Sequence, residues 1–149
     1  MTDVYSDGIC DPNPGTACWA FVVHDGTRVT VTQQGALAGL QTNNTAEYAG
    51  FGKALAWILT QPPGEFTLYT DSQLVLNQVA GQWACNVERL EVLRDRCKEL
   101  IEQIKEAGSK IELQWISGAK NPADGPTRDA YFVKTGKVAK DWRAMKQVR

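Results

Sequence analysis

The chain has a single histidine, His24, and its four cysteines (Cys10, Cys18, Cys85 and Cys97) show no C-x-x-C spacing. A zinc site needs several soft or borderline ligands at short spacing, so these numbers argue against one. Four scattered thiols of this kind are expected to be buried and reduced. No apolar run approaches the roughly 18 residues that a membrane helix needs, and nothing resembles a secretory leader. A cytoplasmic protein with no membrane partner is the default expectation. Internal repeats and linker-like stretches are missing too. What is present, 43% hydrophobic residues and five tryptophans in 149, suits one globular domain with a real core rather than a disordered chain.

Charge is low but unevenly placed. From Gly125 onward seven basic residues (Arg128, Lys134, Lys137, Lys140, Arg143, Lys146 and Arg149) stand against Asp129 and Asp141, a net of +5. With a total of -1, this leaves -6 for residues 1–124. A basic tail on an acidic body fits a polyanionic partner, though many such tails are simply solvated.

Hydrophobic periodicity divides the chain into elements. Val4 to Asp7 reads as a short strand ended by Gly8, and Asp11-Pro12-Asn13-Pro14-Gly15 is dense in turn formers. The apolar run Cys18 to Val23 and the Val/Thr alternation of Arg28 to Gln34 flank Asp25-Gly26, a strong hairpin signal. Tyr48, Phe51, Leu55, Ile58 and Leu59 then share one helical face, stopped by Pro62-Pro63-Gly64. Glu65 to Thr70 predicts a fourth strand, and Asp71-Ser72 opens a short helix. Leu90, Leu93, Cys97, Leu100, Ile101 and Ile104 form the stripe of a long helix ending at Gly108. Ile111 to Ile116 predicts a fifth strand. Asn121-Pro122-Ala123-Asp124 has the form of a last helix start, with Asn at the cap. The order β-β-β-α-β-α-α-β-α implies an α/β protein: one five-stranded mixed sheet flanked by helices.

Four acids fall at predicted element ends. Asp7 closes the first strand, Glu47 lies in the first turn of the first long helix, Asp71 follows the fourth strand, and Asp124 starts the last helix. Strand ends and helix starts of an open α/β sheet converge on one edge. Clustered carboxylates raise one another's pKa unless a cation is present, and all-oxygen ligation selects Mg²⁺ or Mn²⁺. Each acid also has an ordinary role open to it: Asp7 as a turn residue, Glu47 as a partner of the helix dipole, Asp71 and Asp124 as caps.

The flanking residues carry more. "YSDG" followed by "NPG", then "TNNTAEY", "YTDSQ" and "NPAD" are similar, in order and spacing, to the signature blocks of ribonuclease H type 1, across nearly all of residues 4–130. The chain resembles the family's short form without a basic protrusion. The resemblance implies a ribonuclease H-like fold, with a catalytic domain over residues 1–131 and a basic tail over residues 132–149. It implies an endoribonuclease cutting the RNA strand of RNA/DNA hybrids with two Mg²⁺ ions (Mn²⁺ being possible), held by Asp7, Glu47, Asp71 and Asp124. One ion would prepare the attacking water and the other stabilise the leaving 3′ oxygen, giving 5′-phosphate and 3′-hydroxyl ends. Asn13, Asn43, Asn44 and Gln73 match positions that line the hybrid's minor groove, where amides can both give and accept hydrogen bonds. Thr42 resembles part of a pocket for a DNA-strand phosphate. Asn13 has a turn role open to it, Asn43 or Asn44 a helix cap, and Gln73 simple exposure. A monomer is expected.

The pattern has departures. Many relatives carry a histidine in the loop before the fourth acid, where this chain reads Ser117-Gly118-Ala119-Lys120. Lys120 is a candidate helper, and His24 is expected at the surface. Gly81 to Asn86 contains no basic residue, and Trp83 within it is expected to pack on the long helix. Thr45 stands where some relatives have arginine. The expected cost is weaker substrate binding with a flatter salt dependence, offset by the basic tail. The competing readings are a nucleic-acid-binding module with weak catalysis and a retroelement-associated domain working beside a polymerase.

Overall fold

A computed structural model describes residues 1–140; residues 141–149, half of the expected basic tail, lie outside the described residues. The first three strands, β1 (Thr2–Asp11), β2 (Thr16–Asp25) and β3 (Arg28–Ala36), form an antiparallel meander. Next come α1 (Asn43–Leu59), β4 (Glu65–Thr70), α2 (Gln73–Val79), α3 (Glu88–Glu106), β5 (Lys110–Trp115) and α4 (Asp124–Thr135). The sheet order is β3-β2-β1-β4-β5, with β4 parallel to both β1 and β5. The expected five-stranded mixed sheet is therefore present. Among the described residues no helix is long and apolar enough to cross a membrane.

Alternation along the strands assigns the faces. On β2, Phe21 and Val23 point into the main core with Tyr48, Phe51, Leu55 and Ile58 of α1 and Leu100 and Ile104 of α3. Cys18, two-residue periodicity out of step with them, points to the other face. There it meets Ile9, Ala130, Tyr131 and Ala139, so α4 and the segment after it cover that side. All four cysteines are buried and free, as expected.

The helix starts show why some boundaries differ from the sequence reading. Thr42, not Asn43 or Asn44, caps α1: its Oγ1 accepts from the Thr45 amide at 3.3 Å, while Thr45 Oγ1 accepts from the Thr42 amide at 3.0 Å. Glu47 consequently lies in the second turn, beyond the reach of the cap. α4 starts at Asp124 rather than at Pro122 and continues to Thr135, while the Asn121 side-chain amide turns inward to Ser6 and Asp71. Trp83 is 47% exposed and is not among the side chains packed on the main core. His24 is half-buried, its ring tilted against Tyr5 at 5.0 Å between centroids.

Gly8 does not end the first strand. β1 runs on through it to Asp11, and Gly8 is where α1 crosses the sheet most closely. A Cβ at Gly8 would overlap the backbone of Ala46 and Glu47, and one at Gly50 would overlap the carbonyl oxygen of Asp7. Both contacts are backbone to backbone, so no side chain can rotate away. Gly50→Ala is expected to cost about 1–3 kcal/mol from overpacking. Gly125→Ala, with nothing within 4 Å of the new carbon, is expected to be neutral or slightly stabilising. Urea midpoints of the two variants check the contrast.

Candidate active site

The close crossing of α1 over β1 builds the first pair of the site. With no side chain at Gly8, the Glu47 carboxylate reaches the Gly8 N–H, which donates to its Oε1. That places Glu47 beside Asp7, the next residue on β1. Asp71 arrives from the chain just past β4, the parallel neighbour of β1. Capping of α2 falls to Ser72, whose Oγ accepts from the Val75 amide at 3.1 Å, so Asp71 is not used as a cap. Trp115 Nε1 donates to the Asp71 carbonyl at 3.3 Å and fixes the turn.

Asp7, Glu47 and Asp71 each present an oxygen such that all three lie within 4.8 Å of one another. Asp124 stands at the edge of the same cleft, on the first residue of α4, outside that trio. The cleft has a volume of about 640 Å³ and is also lined by Asn13 and Asn43, and by Arg128 and Lys140. Its lining thus combines acids, amides and cations, with Arg128 set directly against Asp124.

Crowding and burial leave the acids electrostatically unsatisfied. Asp7 is pushed up to about 7, first by burial, then by the charge of Asp71. Glu47 is driven well above the usual carboxylate range by burial, then by Asp7 and Asp71. Without a cation, protons must take the place of countercharge. Three carboxylates in one cleft, two of them resisting ionisation, fit a divalent cation: it would remove the repulsion and meet the oxygen ligands it prefers. Asp7, Glu47 and Asp71 are the residues that could hold it.

Asn121 is the residue that the sequence reading undervalued. It is buried, and its Nδ2 donates to the Ser6 carbonyl at 2.9 Å and to Asp71 Oδ2 at 3.3 Å. Its Oδ1 accepts from the Ala123 amide at 3.0 Å. One side chain therefore ties β1, the end of β4 and the start of α4 together. The "NPAD" block contained the signal, but a cap reading was enough to explain it locally.

The remaining predicted residues fall on both sides of the cleft boundary. Asn13 and Asn43 line the cleft, and Asn13 Oδ1 accepts from the Asn43 amide at 3.1 Å, tying the proline-rich loop to the start of α1. Thr42 is engaged in the cap. Asn44, in the first turn of α1, and Gln73, exposed at the start of α2, are not part of the cleft lining. Lys120 is exposed on a short 3₁₀ turn and also lies outside the lining.

An acidic cleft at the rim of a mixed sheet, with helices on both faces, defines a class of α/β domain whose chemistry is centred on clustered carboxylates. The chain belongs to the RNase H family, whose model matches residues 1–131. It is 33% identical over 130 residues to the ribonuclease H of Acidovorax sp. (strain JS42), covering 77% of this chain and 80% of that protein. A bifunctional protein of Mycobacterium tuberculosis is 30% identical over 140 residues, but the chain spans only 37% of its length. The solved N-terminal RNase H domain from Mycobacterium tuberculosis superposes with a TM-score of 0.79 at 28% identity, covering 91% of this chain and 98% of that one. RNase H1 of Halobacterium salinarum gives 0.77 at 27% identity, covering 87% and 96%.

The acid cluster predicts an inverted pH profile of stability. Asp7 has a folded value of about 7 against an ordinary 3.8, so in that window the folded state binds more protons than the unfolded one. Stability therefore falls as pH rises from about 4 to about 7. In chelator, Asp7→Asn is expected to gain several degrees of Tm over wild type at pH 8 and almost none at pH 4. Thermal melts of both proteins across this range measure it; a constant difference would contradict the electrostatic picture.

Proposed function

We propose that this protein is a metal-dependent endoribonuclease that hydrolyses the RNA strand of RNA/DNA hybrids, leaving 5′-phosphate and 3′-hydroxyl ends. The observation that carries this reading is the trio Asp7, Glu47 and Asp71, whose oxygens share a 4.8 Å neighbourhood within an open cleft. Membership of the RNase H family supports the substrate class.

Asp7, Glu47 and Asp71 would hold divalent cation, with Asp124 contributing from the cleft edge. When bound, a pair of Mg²⁺ ions, or Mn²⁺ in their place, supplies Lewis-acid charge for the attacking and leaving oxygens of an in-line displacement. The protein's own part is placement. Gly8 N–H anchors Glu47, and Asn121 anchors Asp71, so the acids meet the substrate without reorganising. Both Asp7 and Glu47 must give up protons to ligate, so metal binding weakens as pH falls.

Substrate selection would rest on the amides of the cleft. Asn13 and Asn43 present amides in the cleft, suited to the 2′-hydroxyls of a wide A-like minor groove, each of which is both donor and acceptor. Asn44, Gln73 and Thr42 lie outside the cleft lining and would extend the contact along the duplex. The basic segment over residues 132–149 adds non-specific attraction for phosphate. Its first part is folded structure, since α4 runs to Thr135 and Ala139 is buried. Charge removal is therefore a cleaner probe of it than truncation.

Four measurements test the proposal. End-labelled RNA/DNA, RNA/RNA and DNA/DNA duplexes are incubated with and without Mg²⁺; cleavage is expected only of the RNA strand of the hybrid, and only with metal. A hybrid bound but never cut would favour the binding-module reading instead. Asp71→Asn is expected to lose at least about a thousandfold in kcat with an unchanged circular dichroism spectrum, the scale of removing a central electrostatic group. Neutralising Lys134 and Lys137 to Gln is expected to raise KM and flatten its salt dependence while kcat holds. Lys120→Ala is expected to leave the kinetics unchanged.

A further inference from the structure

Asp124 differs from the other three acids in its surroundings. Its carboxylate faces Arg128, one turn further along α4, whose Nε lies 3.3 Å from Oδ1 and 3.2 Å from Oδ2. The two side chains are only 30% and 26% exposed, so solvent screens this pair less than a surface ion pair. Arg128 is itself held from behind. Its Nη1 donates to the Ala139 carbonyl at 3.1 Å, and Ala139 is buried against Ile9, Cys18 and Tyr131. The segment carrying Ala139 is pinned again where the Lys140 amide donates to Asp11 Oδ2 at 3.1 Å. Tyr131 Oη reinforces this by donating to the Asp11 carbonyl at 2.9 Å.

The two halves of the site differ. Asp7, Glu47 and Asp71 bring three carboxylate oxygens within 4.8 Å of one another. Asp124 instead faces a guanidinium, which cannot deprotonate at any working pH and which is tethered in place. A metal ion can engage Asp124 only by displacing or sharing it with a fixed positive charge.

Resting on the metal-dependent reading above, we propose that Arg128 is a built-in competitor for the cation that Asp124 would take. The cleft then fills in two steps of unequal affinity. The trio Asp7, Glu47 and Asp71 loads first, and the step that recruits Asp124 is held weak by Arg128. Arg128 acts here as a positioning residue, setting the metal concentration at which the site becomes complete.

The test titrates the full chain with Mn²⁺ alone, without nucleic acid, following free ion by electron paramagnetic resonance. Wild type is expected to show one tighter and one weaker step. Arg128→Gln should tighten the second step by about three- to tenfold, the scale of a partly screened ion pair, and leave the first step alone. Arg128→Lys keeps the charge and should stay close to wild type; if Gln and Lys behaved alike, the effect would be one of shape and the proposal would fail. In an Asp124→Asn background, Arg128→Gln should change nothing. An unaltered or weaker second step in a folded Arg128→Gln protein overturns the proposal. If that variant folds poorly, wild type still decides: under Mg²⁺ titration the Arg128 Nε–H resonance should move in the second step and not in the first. A signal that stays still to saturation overturns it as well. No metal uptake at all by wild type would instead remove the metal-dependent reading on which both stand.

Discussion

The contact on which the rest of the structure depends is the crossing of α1 over β1. Two glycines on opposite elements make it possible: Gly8 opposite Ala46 and Glu47, and Gly50 opposite the Asp7 carbonyl. A helix that packed on side chains at the usual distance could not bring Glu47 to the Gly8 amide. Since Asp7 is on the same strand and Asp71 follows its parallel neighbour β4, this one approach decides whether the acids meet. The large apolar side chains of α1, Tyr48, Phe51, Leu55 and Ile58, then bury the helix and hold the approach in place.

The acid cluster is a local conflict that the surrounding fold sustains. Burial and mutual repulsion push Asp7 and Glu47 away from ionisation, while the Gly8 amide holds Glu47 and the Asn121 amide holds Asp71 beside Asp7. Such crowded carboxylates favour positive charge brought to them. Asp124, by contrast, already has a cation of the protein's own at 3.2 Å. The two halves of the cleft are therefore in different electrostatic states before any ligand arrives, and α4 with the segment behind it is responsible for the difference.

How much was legible beforehand varies with the range of the interaction. The three-strand meander, the hairpin at Asp25-Gly26 and the stripes of α1 and α3 were readable because their signals are local and periodic. The boundaries failed where a long-range contact overrode a local rule. Gly8 looked like a strand terminator, yet it is the gap that admits α1. Asn121 looked like a helix cap, yet its side-chain amide donates to Ser6 and Asp71, 115 and 50 residues earlier in the chain but adjacent in space. Trp83 reads as a side chain laid against the long helix and is 47% exposed. Arg128 and Lys140 read only as tail charge, because nothing in their neighbours reveals that the chain turns back along Asp11.

The sequence by itself determined the element order, the mixed sheet and the identities of four acids in blocks similar to a known family. It could do so because hydrophobic period, turn chemistry and motif spacing are properties of neighbouring residues. Which acids share oxygens within a few ångströms, which amides face the cleft and which cation sits on Asp124 were decided only by tertiary structure. Those relations are set by strand register, by the depth of the helix crossing and by the return of the C-terminal segment, distances that no local pattern encodes.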